Sequence, residues 1–271
     1  IQPAALNGFL TAREAAFEAA GTTEMATLQL NIIFNARHLR GEGVLARTGA
    51  EFVQNATDAT KAVLRTVLTD GLARGQGAKA TAREVRKYIG LNDQQAKIAL
   101  GLRDKLETDP KSLLAELSDE PKKGNYLNRD RRLDGIIRRA ARDGKPIAVR
   151  DIDKIVTAYI NRSIRARALQ ITRDETMAAV QIGNNEAYEQ AIESGRVAAQ
   201  NVRKVWNSAH DNRVRDTHRE LDGESVGFNE SFVSSSGARL RFPHDTVAPL
   251  SERAGCRCNL TYRIDHLANL R

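Results

Sequence analysis

Apolar residues recur at helical spacing along most of the first 195 residues of the chain. This spacing predicts a helix over residues 4–20, with Gly21 as its stop, and another over residues 50–73. Residues 26–39 fit both periods, because their leucines and isoleucines alternate as in a strand but also share one helix face. We favour a helix there.

Two capping boxes mark further helix starts. Thr81 with Glu84 predicts a short helix. Asn92 with Gln95 predicts a second one that runs to about Glu107 and ends at the Asp-Pro pair that follows. Both boxes join a side-chain acceptor at the helix start to a long polar side chain three residues later.

The helical pattern continues through the middle of the chain. A basic helix is predicted over residues 128–143, closed by Gly144, and a long helical segment over residues 151–170. Another helix is predicted over residues 173–194, with Gly195 as its stop.

Beyond Gly195 the pattern changes to short strands separated by Gly, Ser, Asn and Pro. The predicted strands are residues 204–207, 239–242 and 259–264. The fold class is therefore mainly α, with a multi-helical N-terminal body over residues 1–198 followed by a small α+β C-terminal domain over residues 199–271.

Composition supports this division and adds a charge preference. Aromatic residues make up 5% of a chain that is 41% hydrophobic, so a core of Leu, Ile, Val and Ala is expected, as in helix-on-helix packing. The net charge of +8 favours polyanions such as nucleic acid. Two cysteines one residue apart provide no disulfide framework, and we expect a reducing compartment. No window of about 18 apolar residues predicts a membrane span.

The basic helix is the first candidate for function. Arginine forks and a lysine on its polar face suit DNA phosphates. These DNA-contact candidates are Arg131, Arg132, Arg138, Arg139, Arg142 and Lys145. The alternative is a solvated helix face on which Asp130, Asp134 and Asp143 act as local partners.

The second candidate is a metal site in the C-terminal segment. His210, His218, Cys256 and Cys258 supply four ligands that suit tetrahedral zinc, and His244 lies nearby in sequence. A zinc ion would stabilise a small domain by joining distant parts of the chain, and the domain would then be a zinc-stapled DNA-binding module. The alternative is that the cysteines are small buried hydrophobes and the histidines are hydrogen-bonded surface groups, with no cofactor.

The same segment permits a third hypothesis, a nuclease-like or toxin-like enzyme. His210 and His218 would exchange a proton with a phosphodiester that an arginine holds. A structural role is the alternative, in which Asp211, Arg213 and Asp222 form an ion-pair network that orders the loops. The chain has no phosphate loop, zincin motif or nucleophile elbow, so we expect no enzyme activity.

The order of these motifs resembles the phage head morphogenesis proteins, the Mu F-like minor head protein family. A Trp, a D-x-R-x-R-x-x-H-x-x-L-D-G run, a Pro-x-Asp and a terminal C-R-C follow one another in both. The matching residues that we assign to this structural signature are Trp206, Asp211, Arg213, Asp222, Gly223 and Asp245. The helical stretch R-A-L-Q-I-T-R-D-E-T is also similar to the helix that precedes the signature in the family.

The resemblance implies a minor capsid protein of a bacteriophage virion. Its partners would be the portal protein, other head proteins and packaged double-stranded DNA. It would be made in the host cytoplasm and would reside in the capsid interior or at the portal vertex, without a membrane in the assembled head. Its role would be head morphogenesis and genome packaging or ejection, without an established enzyme activity. Some relatives place extra cysteines in this segment, so the resemblance leaves metal binding open.

Overall fold

A computed structural model of the protein describes residues 3–27, 33–74, 87–117 and 128–265. Five helices of more than one or two turns are present in these ranges: α1 Pro3–Thr27, α2 Leu39–Ala73, α3 Asp93–Thr108, α4 Asp134–Asp143 and α5 Val149–Glu193. Short 3₁₀ segments cover Pro110–Leu117, Arg131–Leu133 and Ala199–Asn201. No helix in the described ranges combines the length and the apolar composition that crossing a membrane requires.

The chain after α5 forms two small antiparallel sheets. Its elements are β1 Val202–Asn207, α6 Asp216–Arg219, β2 Ser225–Gly227, β3 Phe232–Val233, β4 Arg239–Leu240, α7 Leu250–Arg253 and β5 Asn259–Ile264. The first sheet has the order β2-β1-β5, with Trp206 of β1 opposite Leu260 of β5. The second sheet pairs β3 with β4. The predicted fold class, mainly α with a small α+β C-terminal part, is confirmed.

The chain divides into two compact units that differ from the boundary drawn from the sequence. One unit is Phe52–Leu169, and the other combines Ile1–Glu51 with Gln170–Arg271. The difference arises because α1 and the C-terminal part of α5 pack with the strands, as their shared core below describes. That residues 199–271 form a domain of their own stays a prediction.

The core of the unit Phe52–Leu169 is aliphatic, as the composition predicts. Residues of α2, α3 and α5 meet in it, and the two aromatic residues in this cluster are Tyr88 and Tyr159. The side chain of Arg138 closes one side by donating a 2.7 Å hydrogen bond to the carbonyl oxygen of Leu117. α4 therefore has one face in the core and its arginines on the other.

The core of the other unit joins helices to the sheet. Phe17 of α1 packs against Phe34 and lies in one cluster with Ile182 of α5 and Phe242. Further along α5, the ring of Tyr188 stacks on that of Tyr262 in β5 at a centroid distance of 4.1 Å. The C-terminal part of α5 thus packs against the small sheet.

Three sequence predictions about the helices are wrong. α1 does not end at Gly21, because this glycine is a tertiary contact point: a Cβ there would lie 2.2 Å from the Phe34 ring. Residues 33–38 are not helical, and residues 28–32 lie outside the described ranges. The two helices predicted over 151–170 and 173–194 form one helix of 45 residues.

Two cap predictions are confirmed. Asn92 accepts a 2.7 Å hydrogen bond from the Gln95 amide, and the Gln95 side chain accepts one from the Asn92 amide. Gly144 caps α4 with φ 64°, in the left-handed region. The capping box at Thr81 lies outside the described residues.

Candidate metal centre

His218 lies on the short helix α6 with its imidazole in the core. Its side chain is 1% exposed. The edge of the ring meets the Trp206 ring at a centroid distance of 5.1 Å, and Trp206 in turn packs on Phe232 at 5.2 Å. β1 supplies Trp206 because alternate residues of a strand point to one face of the sheet. The ring of His218 is therefore held by aromatic packing.

Cys256 and Cys258 lie between α7 and β5. Both are buried, whereas Arg257 between them is exposed, as expected when side chains alternate along an extended segment. The backbone here is held from two sides: His244 Nε2 lies 2.7 Å from the Cys256 carbonyl oxygen, and Asp174 accepts a hydrogen bond from the Gly255 amide. The single-residue spacing therefore directs both sulfurs inward.

The His218 imidazole meets both cysteines through the same ring atom. Nδ1 lies 3.5 Å from Cys256 Sγ and 3.6 Å from Cys258 Sγ. The three atoms lie within 4.8 Å of one another and form the single such group of potential metal ligands among the described residues. The other nitrogen, Nε2, lies 2.9 Å from Glu252 Oε2. A cavity of about 20 Å³ borders all three ligands.

Local charge separates the two thiols. The Cys256 thiol beside Cys258 stabilises a thiolate there, as do the side chains of His218 and Trp206, so the pKa of Cys258 is lowered. The same interaction and burial raise the pKa of Cys256. Burial opposes ionisation of Glu252, but hydrogen bonds from Ser236 and Thr217 lower its pKa below the ordinary value. The surroundings thus favour the thiolate form of Cys258 and the carboxylate form of Glu252 on either side of the imidazole.

Glu252 is the member of this group that sequence reasoning missed. Its carboxylate is buried and is contacted by His218, Thr217 and Ser236. Its place on α7, four residues before Cys256, gives no motif that would select it from the other acidic residues. Tertiary structure alone brings it to the ring.

The structure does not bring His210 into this group. Its side chain is 72% exposed, and Nδ1 lies 3.4 Å from Asp222 Oδ2. The backbone at His210 has φ 49°. Of the four predicted metal ligands, three therefore come together, and His210 lies on the loop that precedes them.

The signature residues have structural contacts around the same group. Asp211 forms a two-bond ion pair with Arg257, with N–O distances of 2.5 Å, and this interaction lowers the pKa of Asp211. Asp222 accepts a 2.7 Å hydrogen bond from the Ser208 amide. Gly223 has φ 79°, which favours glycine.

Two further signature residues complete this framework. Asp245 is fully buried and binds the Arg241 side chain at 2.7 and 2.9 Å. Arg213 donates its backbone amide to Asp211 at 2.9 Å. The contacts differ from the predicted buried network of Asp211, Arg213 and Asp222: Asp211 pairs with Arg257 at the surface, and Asp222 contacts the Ser208 amide and the His210 ring.

The six DNA-contact candidates lie on or beside α4 in the unit Phe52–Leu169, and all are exposed. Three have protein partners: Arg132 binds Asp130, Arg142 binds Asp143, and Arg138 binds a carbonyl oxygen. Within the described residues, no hydrogen bond or ion pair is assigned to the side chains of Arg131, Arg139 and Lys145. Both sequence hypotheses, DNA face and solvated face, are compatible with this arrangement.

The fold and site define a mainly helical protein whose small α+β part contains a buried Cys and His group inside a framework of ion pairs. Residues 135–261 match the model of the family described as Phage Mu protein F like protein. This match confirms the resemblance that the C-terminal motifs indicate, and the matched segment is a Mu F-like region.

Curated relatives share parts of the chain. Minor head protein GP7 of Bacillus phage SPP1 is 39% identical over 66 residues, 24% of this chain and 21% of the relative. NAD(+)--arginine ADP-ribosyltransferase EFV of Enterococcus faecalis is 30% identical over 120 residues, 42% of this chain and 23% of the relative. Uncharacterized protein YqbB of Bacillus subtilis is 31% identical over 104 residues, 37% and 31% of the two chains. The chain thus spans less than a third of each relative, and no solved structure matches it.

Proposed function

We propose that this protein is a structural and assembly component of a phage head. It associates with the portal vertex and with packaged DNA, and it aids head morphogenesis and genome packaging or ejection. The observation that carries the proposal is the Mu F-like match over residues 135–261, together with the likeness to a minor head protein.

The contacts of the signature residues support a structural role. Trp206 and Asp245 are fully buried, and Asp211 and Asp222 are held by Arg257 and a backbone amide. Buried aromatic rings and paired carboxylates stabilise a fold. These residues therefore serve to build the C-terminal part.

The proposed role also requires no catalysis by the histidines. Both ring nitrogens of His218 already have protein neighbours, and the side chain is buried. An ADP-ribosyltransferase is among the relatives, but less than a quarter of its length aligns. The purified chain should leave RNA and DNA intact across pH and added divalent metals; cleavage that His218→Ala abolishes would establish the enzyme hypothesis instead.

Association with the head is tested with proteins from the same phage. The chain and its portal protein should co-migrate on sizing when co-expressed, and an antibody should detect the chain in purified virions. Absence from virions together with no association with any head protein would overturn the proposal.

DNA contact is tested on α4 and the 3₁₀ segment before it with two matched double variants. Arg131→Ala with Arg139→Ala removes two arginines whose side chains form no hydrogen bond or ion pair within the described ranges, whereas Arg132→Ala with Arg142→Ala removes two that are paired with aspartates. Both lower the net charge by two. Each lost phosphate contact should reduce the slope of log affinity against log salt by about 0.9.

We expect a slope reduced by about 1.8 for the first pair and a smaller change for the second. Fluorescence anisotropy with a labelled duplex at several salt concentrations measures it. Equal changes of the salt slope in both double variants would show that these arginines act only through net charge and not through specific phosphate contacts.

A further inference from the structure

We propose that His218, Cys256 and Cys258 bind one zinc ion, with Glu252 orienting the histidine. The proposed head function does not require this site, which lies wholly in the C-terminal part of the chain. Three residues are its protein ligands, and His210 is not one of them.

The distances match a tetrahedral centre. Zinc bonds of about 2.3 Å to sulfur and 2.0–2.1 Å to nitrogen at the tetrahedral angle place S and N about 3.6 Å apart. The observed separations from His218 Nδ1 are 3.5 Å to Cys256 Sγ and 3.6 Å to Cys258 Sγ. Both nitrogen–sulfur separations therefore fit one tetrahedral ion, and the three ligand atoms lie within 4.8 Å of one another.

Glu252 contacts the side of the imidazole that faces away from the sulfurs. Its Oε2 lies 2.9 Å from Nε2, so Nδ1 is the ring nitrogen that is available to an ion between the cysteines. A carboxylate on the far nitrogen of a metal-bound histidine is a common outer-shell arrangement. Ser236 and Thr217 donate hydrogen bonds to this carboxylate and hold it in place, and the Trp206 ring packs against the imidazole.

Space and burial also fit an ion. The cavity of about 20 Å³ at the three ligands exceeds the space that one water-sized probe requires. His218, Cys256 and Cys258 are at most 6% exposed, so the three ligand side chains are shielded from solvent. Within the described ranges no fourth Cys, His or carboxylate belongs to the group, so a water or another external ligand would take the remaining position.

Ligand chemistry favours zinc among the common divalent cations. Two thiolates and one imidazole are soft or borderline donors, whereas Mg²⁺ and Ca²⁺ prefer oxygen. The site would join α6 to the segment between α7 and β5, which lies 38 to 40 residues later. A bound ion would thus close a long loop of a small unit.

The experiment uses the full chain purified under reducing conditions. Metal analysis should give about one zinc per chain after incubation with zinc and desalting. Replacement by Co²⁺ should give the sulfur-to-cobalt charge-transfer band near the ultraviolet and the intense visible bands of a tetrahedral thiolate site. Less than about a tenth of an equivalent of zinc, with no cobalt bands, would overturn the proposal.

Variants test which residues hold the ion. His210→Ala is the matched histidine control and should keep full stoichiometry, because its side chain is exposed and lies on Asp222. Cys258→Ser and His218→Ala should each weaken zinc affinity by more than about 100-fold in a competition titration with a chromophoric chelator, which exceeds the effect of an outer-shell change. Glu252→Gln should weaken it less, by about 10- to 100-fold at most, while it keeps the cobalt bands.

Further readouts keep the test decisive if a variant fails to fold. Circular dichroism shows whether each variant folds. If a variant does not fold, the rate at which a thiol reagent alkylates the cysteines of the unaltered chain takes the place of that variant's zinc titration. Zinc should slow alkylation of both cysteines in that chain, and a chelator should restore it. Equal alkylation rates with and without zinc would contradict the site, and loss of zinc in His210→Ala would reject the three-ligand assignment.

Discussion

Replacement of Trp206 by alanine should unfold the C-terminal sheet at lower denaturant than any surface change nearby. The indole is 0% exposed and packs edge-to-face on both His218 and Phe232. A buried tryptophan removes roughly 150–250 Å² from water, which at about 25 cal/mol per Å² corresponds to about 4–6 kcal/mol. Truncation of large aromatic residues in cores costs about 3–5 kcal/mol, so we expect a loss of about 4 kcal/mol.

Hydrogen exchange followed by mass spectrometry is the suitable assay. Peptides that cover β1 and β5 report the opening free energy of the sheet itself, in the variant that lacks the only tryptophan as well as in the parent chain. Both proteins are measured with a chelator present, so that metal binding does not contribute to the difference.

Val233→Ala is the control. Its side chain is 51% exposed and lies beside Phe232, so its truncation should change stability by less than about 0.5 kcal/mol. A loss below about 1 kcal/mol in Trp206→Ala would show that the ring is not a core residue, and the arrangement around His218 would then be wrong.

Three further predictions concern local features. Asn92→Ala removes the side-chain acceptor of the capping box, to which the Gln95 amide donates, and should cost about 1 kcal/mol in urea unfolding. Gly183→Ala should cost about 1–3 kcal/mol, because the new methyl group would lie 2.4 Å from the Phe17 carbonyl oxygen, whereas Gly135→Ala in α4, with nothing within 4 Å, should be neutral or stabilising by up to about 1 kcal/mol. Burial first, and then the charge of Arg241, lower the pKa of Lys204 to about 8. The folded state then loses its proton before the unfolded state, so the stability of the parent chain relative to Lys204→Met should rise between about pH 8 and 10.5, by up to about 3 kcal/mol; a flat difference in urea titrations would contradict this.

Local signals in the sequence predicted local structure well. The Asn92 capping box and the left-handed Gly144 need neighbours within five residues, and the structure has both. The predicted break near residue 170 failed because no glycine or proline stands there, and the Gln170 side chain donates to Asp174 one turn later, which favours a continuous helix.

Tertiary contacts decided what the sequence could not. Gly21 has the composition of a helix stop, but its missing side chain makes room for Phe34, so the helix continues. In the site, residue type identified His218, Cys256 and Cys258, since few other residues bind soft metals. Residue type also selected His210, which the fold leaves at the surface, and it could not select Glu252 among 34 acidic residues.

The residues that indicate the family contact the same short segment, Cys256–Cys258, that provides two ligands of the candidate metal centre. Arg257 stands between the two cysteines and is held outside by Asp211, so the alternation of the chain turns both sulfurs inward. Arg215 donates to the carbonyl oxygens of Ser251 and Ala254 just before this segment, and His244 contacts the carbonyl of Cys256. These contacts hold the C-R-C segment so that both cysteine thiols lie beside the His218 imidazole. Loss of the Asp211–Arg257 pair should therefore weaken zinc binding even though neither residue is a ligand, which ties the family motif to the geometry of the site.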